Sequence, residues 1–135
     1  MPDDVRLNKA ATIERCLARA REEYGAGGEG LNNDLRRQDA LVLNLLRACE
    51  TTIDLAMHLV RREALGVPQS SRDAFDLLAG AGVIEPALAT ALQRMVGFRN
   101  LAVHRYQELD LAIVGRIVEE RLVDFEAFVA RALAR

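Results

Sequence analysis

Arg99, Asn100, His104 and Tyr106 put a permanent cation, an amide, an imidazole and a phenol within eight residues of chain. That set suits phosphate chemistry. An arginine fork offers paired donors to phosphate oxygens and keeps its charge, and histidine exchanges protons near neutrality. An RNA backbone carries its own nucleophile, the 2′-hydroxyl, so cutting it needs only a proton shuttle and a cation on the phosphate in flight. His104 can be the general acid or base and Arg99 the charge clamp, leaving a 2′,3′-cyclic phosphate and a 5′-hydroxyl with no metal and no cofactor. One histidine is scarce for two proton transfers, which favours a homodimer that pairs two motifs about a twofold axis. The spacing alone favours a structural or solvated role, because an Arg-x4-His run on a helix arises easily by chance.

These side chains must be positioned by helices. Val5, Leu7, Ala10, Ile13, Leu17 and Ala20 recur at three- and four-residue steps and predict a first helix from Asp3 to Tyr24, with Asp3 or Asp4 as cap. Four glycines in Gly25–Gly30 end it. Without the lysine-and-serine ending of a P-loop, that segment reads as a hinge. Leu41, Leu45, Ala48, Thr52, Leu55 and Leu59 predict a long second helix from about Asn33 to Leu65. Ser70 and Ser71 can cap a short connector helix from about Arg72 to Ala79, stopped by Gly80 and Gly82.

Pro86 suits a first helical position, and Leu88, Leu92, Met95, Val96, Leu101 and Val103 carry a fourth helix to about His104, so the motif ends that helix. At ~100° per residue, Asn100 and His104 share one face and Arg99 stands about 140° away from His104. Arg99 must reach, or the helix must fray at His104. Arg105 to Asp110 form a polar link, and Asp110 caps a last helix carrying Leu111, Val114, Ile117, Val118, Leu122, Phe125 and Phe128. The expected fold is an all-α, up-and-down bundle of about five helices, two of them long, with one short connector.

Composition narrows the function. A 135-residue chain forms one domain that buries roughly two-thirds of its unfolded surface. Half the residues are hydrophobic and tryptophan is absent. A formal charge of −2 excludes a coat for non-specific nucleic-acid binding, which scales with the phosphates neutralised. Lys9 is the only lysine; the arginine bias suits phosphate recognition or simply reflects genomic base composition. Cys16 and Cys49 fall on apolar faces in no metal-binding pattern and are expected reduced and buried. The stretch Met1–Asp4 is acidic where a secretory signal is basic, and no run nears the ~20 apolar residues of a membrane span, so a cytoplasmic location is expected.

The segment Val96–Tyr106, with its intact Arg-x4-His-x-Tyr pattern, resembles the signature of the HepT family, HEPN-domain toxins encoded beside a minimal nucleotidyltransferase antitoxin, MntA. The likeness extends through Asn8-Lys9, Ile13–Leu17, Arg47–Glu50, Asp54–His58 and Pro68–Ser71, nearly the whole chain. It implies a single HEPN-like helical domain over residues 1–135, dimerising so that two motifs face one cleft and acting as a metal-independent ribonuclease. By the family pattern Arg99 and His104 are catalytic, Asn100 is a polar helper, and Tyr106 is the hydroxyl to which an MntA-like partner transfers AMP from ATP. AMP on Tyr106 adds charge and bulk where RNA phosphate must sit. A non-catalytic HEPN module that binds nucleotide or RNA, and serves as substrate of the nucleotidyltransferase, is the alternative. Arg105 and Arg94 are candidate RNA contacts or solvated arginines. Asp54 and His58, four residues apart, make a structural hydrogen bond, with dimer-interface or cleft support, a proton relay or half a metal site as the alternatives, and Arg61-Arg62 an exposed helix end, with RNA contact as the alternative.

Overall fold

The computed structural model describes residues 3–135. Met1 and Pro2, part of the acidic N-terminal stretch, lie outside the described residues. Those described form six α-helices and no strand: α1 (Asp4–Tyr24), α2 (Leu35–Arg62), α3 (Ser71–Gly80), α4 (Pro86–His104), α5 (Leu111–Glu120) and α6 (Leu122–Leu133). Side chains start four of them, as Asp3, Asp34, Ser70 and Asp110 accept from backbone N–H groups of the first turn. No helix among the described residues is long and apolar enough to cross a membrane.

Cross-links fix the directions of packing. His58 and Arg62 reach Asp3, Lys9 meets Asp54, and Arg37 reaches the carbonyls of Glu23 and Tyr24, so α1 and α2 run antiparallel over their full lengths. Glu50 pairs with Arg99, and Asp39 with Tyr106 just past α4, which sets α4 antiparallel to α2. Because α2 is packed by α1, α3, α4 and α6, its buried stripe is wide and includes Val42, Cys49, Ile53, Ala56 and Val60 beside the six residues expected. Phe75 of α3 and Phe128 of α6 meet edge to face, centroids 5.8 Å apart, with both rings fully buried. Truncating either to alanine would cost about 3–5 kcal/mol.

Four expectations need correction. Val5 and Leu7 do not face the core; they are 40% and 48% exposed, and Arg6 between them is fully buried. The stripe that α1 buries is Arg6, Ala10, Ile13, Cys16, Leu17, Ala20 and Tyr24, and Val5 and Leu7 flank it by ~100° on either side. Burial of the guanidinium is compensated by Asp3 and by the Ala132 carbonyl at 3.0 Å. Val103 is likewise exposed; Ala102 takes the buried position on α4.

The last helix is two, broken at Arg121. Neither proline nor glycine marks the break; α5 packs on α1, while α6 packs on α1, α2 and α4. The glycine segment is tied down, because the Arg37 guanidinium donates to the carbonyls of Glu23, Tyr24 and Glu29 at 3.0–3.1 Å and so caps the end of α1. Four of its glycines have positive φ, which explains their residue type without a hinge.

At the end of α2, Ala64 N–H bonds to Arg61 and Leu65 N–H to Val60, the Schellman pattern. Ala64 sits there at φ 53°, where Gly82 does the same job after α3 at φ 75°.

Candidate functional site

Arg99 is braced. From the C-terminal part of α4 its Nη1 donates to Glu50 Oε1 on α2 at 2.8 Å, and its Nη2 to Ser71 Oγ at the start of α3 at 3.4 Å. The side chain is 21% exposed, and its buried Nε finds no acceptor among the described residues. Three helices therefore fix one guanidinium, which leaves its remaining donors at a definite place. Ser70, the residue before, is the α3 cap and accepts from Asp73 N–H at 3.1 Å. The connector helix thus anchors a candidate site residue as well as linking α2 to α4.

His104 is the opposite case. It is the last residue of α4, exposed to solvent, and its ring makes no hydrogen bond or ion pair among the described residues. The helix stays intact to that point: Arg105 N–H still bonds to the Leu101 carbonyl at 2.8 Å. Within one chain Arg99 and His104 do not hydrogen-bond to each other, and Asn100, half-buried, has no side-chain hydrogen bond among the described residues.

Tyr106 begins a short 3-10 turn, Tyr106–Glu108. Its hydroxyl donates to Asp39 Oδ1 at 2.5 Å, and the ring is 42% exposed. Partial burial, together with the carboxylate of Asp39 accepting that hydrogen bond, pushes the phenol up to about 12. Arg105 points into solvent and pairs with Glu108 at 2.7 Å. Arg94 stands apart from this group and lines a hollow of about 200 Å³ with Met95, Phe98, Arg116 and Arg121.

Asp54 and His58 do not bond to each other. His58 Nε2 lies 3.1 Å from Asp3 Oδ2, whereas Asp54 is exposed and faces Lys9. Arg62 is no free helix end, since its Nη1 lies 3.1 Å from the same Asp3 oxygen. The Arg6 N–H first, and then the His58 hydrogen bond, hold the Asp3 carboxyl down at about 2. No group of three or more histidine, cysteine or acidic side chains gathers among the described residues. Cys16 and Cys49 are free and buried, and burial pushes both thiols up.

Glu50, Ser71 and Asp39 are the residues that spacing could not find. Glu50 and Ser71 lie in two of the segments that carry the family resemblance; Asp39 lies in none of them.

In sequence and fold the chain is similar to known proteins. The family model described as "Ribonuclease HepT-like" matches residues 13–132. The mRNA nuclease HepT of Shewanella oneidensis is 49% identical over 127 residues, 94% of this chain and 95% of that protein. A solved toxin–antitoxin structure with AMP-PNP superposes at a TM-score of 0.94 with 47% identity, covering 98% of this chain and 100% of the other. A tri-AMPylated Shewanella oneidensis HEPN toxin in complex with its MNT antitoxin superposes at 0.93, also 47% identical, over 98% and 99% of the two chains. An all-helical chain that carries an arginine and a histidine five residues apart, and matches this family over nearly its whole length, belongs to the ribonuclease HepT-like family.

Proposed function

We propose that this chain is the toxin of a toxin–antitoxin pair, a ribonuclease that cuts RNA without metal and is neutralised when an MntA-like nucleotidyltransferase places AMP on Tyr106. The observation that carries the reading is the unpaired, exposed His104 at the end of the same helix that holds the braced Arg99. His104 moves the proton and Arg99 stabilises charge on the phosphate, with Asn100 as a polar helper and Arg105 and Arg94 along the RNA path. Two copies face each other so that two motifs share one cleft; exposed Leu43 on α2 and Val103 on α4 supply apolar surface for that contact. The work is done in the cytoplasm, where mRNA is met. No cofactor belongs to this chain, ATP being consumed by the partner.

Purified protein should cut RNA in the presence of a metal chelator and leave cyclic-phosphate ends, and His104→Ala should not. Equal cutting by the two sinks the reading. With the nucleotidyltransferase and ATP, mass spectrometry should find AMP on the unsubstituted chain and none on Tyr106→Phe.

A second reading has one observation in its favour: the Glu50 carboxylate neutralises much of the charge that Arg99 would lend to a phosphate. On that reading the chain binds RNA or nucleotide and serves as partner and substrate of the nucleotidyltransferase. It predicts AMP on Tyr106 with no cleavage by any variant.

A further inference from the structure

The Tyr106–Asp39 hydrogen bond joins the turn after α4 to the second turn of α2. The pair stands at the polar end of an open hollow of about 360 Å³ whose other wall residues are Val42, Leu43, Leu46 and Ala102. Asp39 and Tyr106 are thus the only titratable side chains on that wall. RNA cleavage as described makes no use of Asp39.

A tyrosine hydroxyl attacks phosphorus poorly unless its proton leaves as the new bond forms. That demand is severe here, since a phenol pushed up to about 12 is almost wholly protonated near neutrality. Resting on the reading of Tyr106 as AMP acceptor, we propose that Asp39 is the base that makes Tyr106 a nucleophile. As the Tyr106 oxygen bonds to the α-phosphorus of ATP, the phenolic proton passes to the Asp39 carboxylate. The bond from the α-phosphorus to the bridging oxygen breaks, and pyrophosphate leaves with that electron pair. Both residues come from this chain, so the acceptor site carries its own base.

Two other groups near Tyr106 are placed differently. His104 makes no hydrogen bond to the phenol, and Arg105 is paired with Glu108. Alternation of carboxylate and amide at position 39 therefore isolates the step.

The test uses the full chain with the nucleotidyltransferase, magnesium and ATP, in the unsubstituted chain and again in His104→Ala, with initial rates of AMP addition read by intact mass. Asp39→Asn should slow addition about ten- to a hundredfold at neutral pH in both backgrounds. KM for the toxin chain should stay within about twofold, the deficit should narrow as pH rises toward the ionisation of the phenol, and Asp39→Glu should recover part of the rate. Ultraviolet titration should show the Tyr106 phenol ionising closer to its ordinary value in Asp39→Asn.

Addition at the unsubstituted rate in Asp39→Asn, or a deficit that is constant with pH and accompanied by a raised KM, overturns the proposal. A deficit seen only when His104 is present assigns the base to His104 instead. If Tyr106→Phe takes up AMP as well as the unsubstituted chain does, or the unsubstituted chain takes up none, the acceptor reading itself falls and this one with it. If AMP is on Tyr106 and Asp39→Asn matches the unsubstituted rate, only the role of Asp39 falls.

Discussion

Arg99 and His104 are five residues apart on one helix and live in different physical surroundings. Arg99 is packed among α2, α3 and α4 and held by Glu50 and Ser71, whereas His104 stands in solvent at the helix end with no partner among the described residues. The contrast matches two demands of phosphate chemistry. A charge clamp is useful only where it is preorganised, and a proton shuttle must meet solvent and substrate. The braces have a second consequence: part of the stability of the bundle and part of the candidate site are the same two contacts.

The contrast is broken most directly by alanine at each position. His104→Ala should lower cleavage by about 10²–10⁴-fold and change folding stability by less than about 0.5 kcal/mol. Arg99→Ala should lower cleavage by about 10²–10³-fold and also cost about 1–2 kcal/mol in urea unfolding, because Glu50 and Ser71 lose their partner. Equal stability losses for the two would show that the bracing of Arg99 is energetically idle. Glu50→Gln keeps a hydrogen-bond acceptor and removes the charge. If the bridge positions Arg99, the rate falls about tenfold; if the bridge only competes with RNA, the rate rises, and single-turnover cleavage separates the two.

A smaller effect tests the opposite end of the bundle from Tyr106, where Asp3 links α1 to α2. Its carboxyl is held below its ordinary value of 3.8, at about 2, so the charged form is the one the fold favours. That contribution is fully present above pH 4 and is lost as pH falls through about 2. The urea midpoint of the unsubstituted chain should therefore drop more steeply over that window than that of Asp3→Asn, and parallel curves would remove the assigned role. The smallest effect is a gain: Ala64→Gly relieves a left-handed alanine and should stabilise by about 0.5–1 kcal/mol without altering cleavage. A change in rate would mean that the end of α2 communicates with the site.

How far the chain could be read in advance differs between elements. The boundaries of α1, α3 and α4 were visible within a residue or two, because Asp3, Ser70, Pro86 and the glycines carry their own local chemistry. The break at Arg121 was not, since Val114, Val118, Leu122 and Phe125 keep a helical period straight across it. Hydropathy chose Val5 and Leu7 over Arg6 for the core because a periodicity tolerates a face rotated by one residue. Asp3 and the Ala132 carbonyl decide for Arg6, and neither is visible from its neighbours in sequence.

The sequence alone determined an all-helical bundle, its starts and stops other than the break at Arg121, and the reactive types at Arg99, His104 and Tyr106. Those features depend on backbone propensity, capping and side-chain chemistry, which act over a few residues. Tertiary structure decided that Arg99 is held by Glu50 and Ser71, that His58 answers to Asp3 and not Asp54, and that Tyr106 rests on Asp39. Those partners are 28 to 67 positions apart in the chain. Only the packing of α2 against α1, α3 and α4 brings them within hydrogen-bond reach, and no local period encodes which residue on a helix face will find which partner across it.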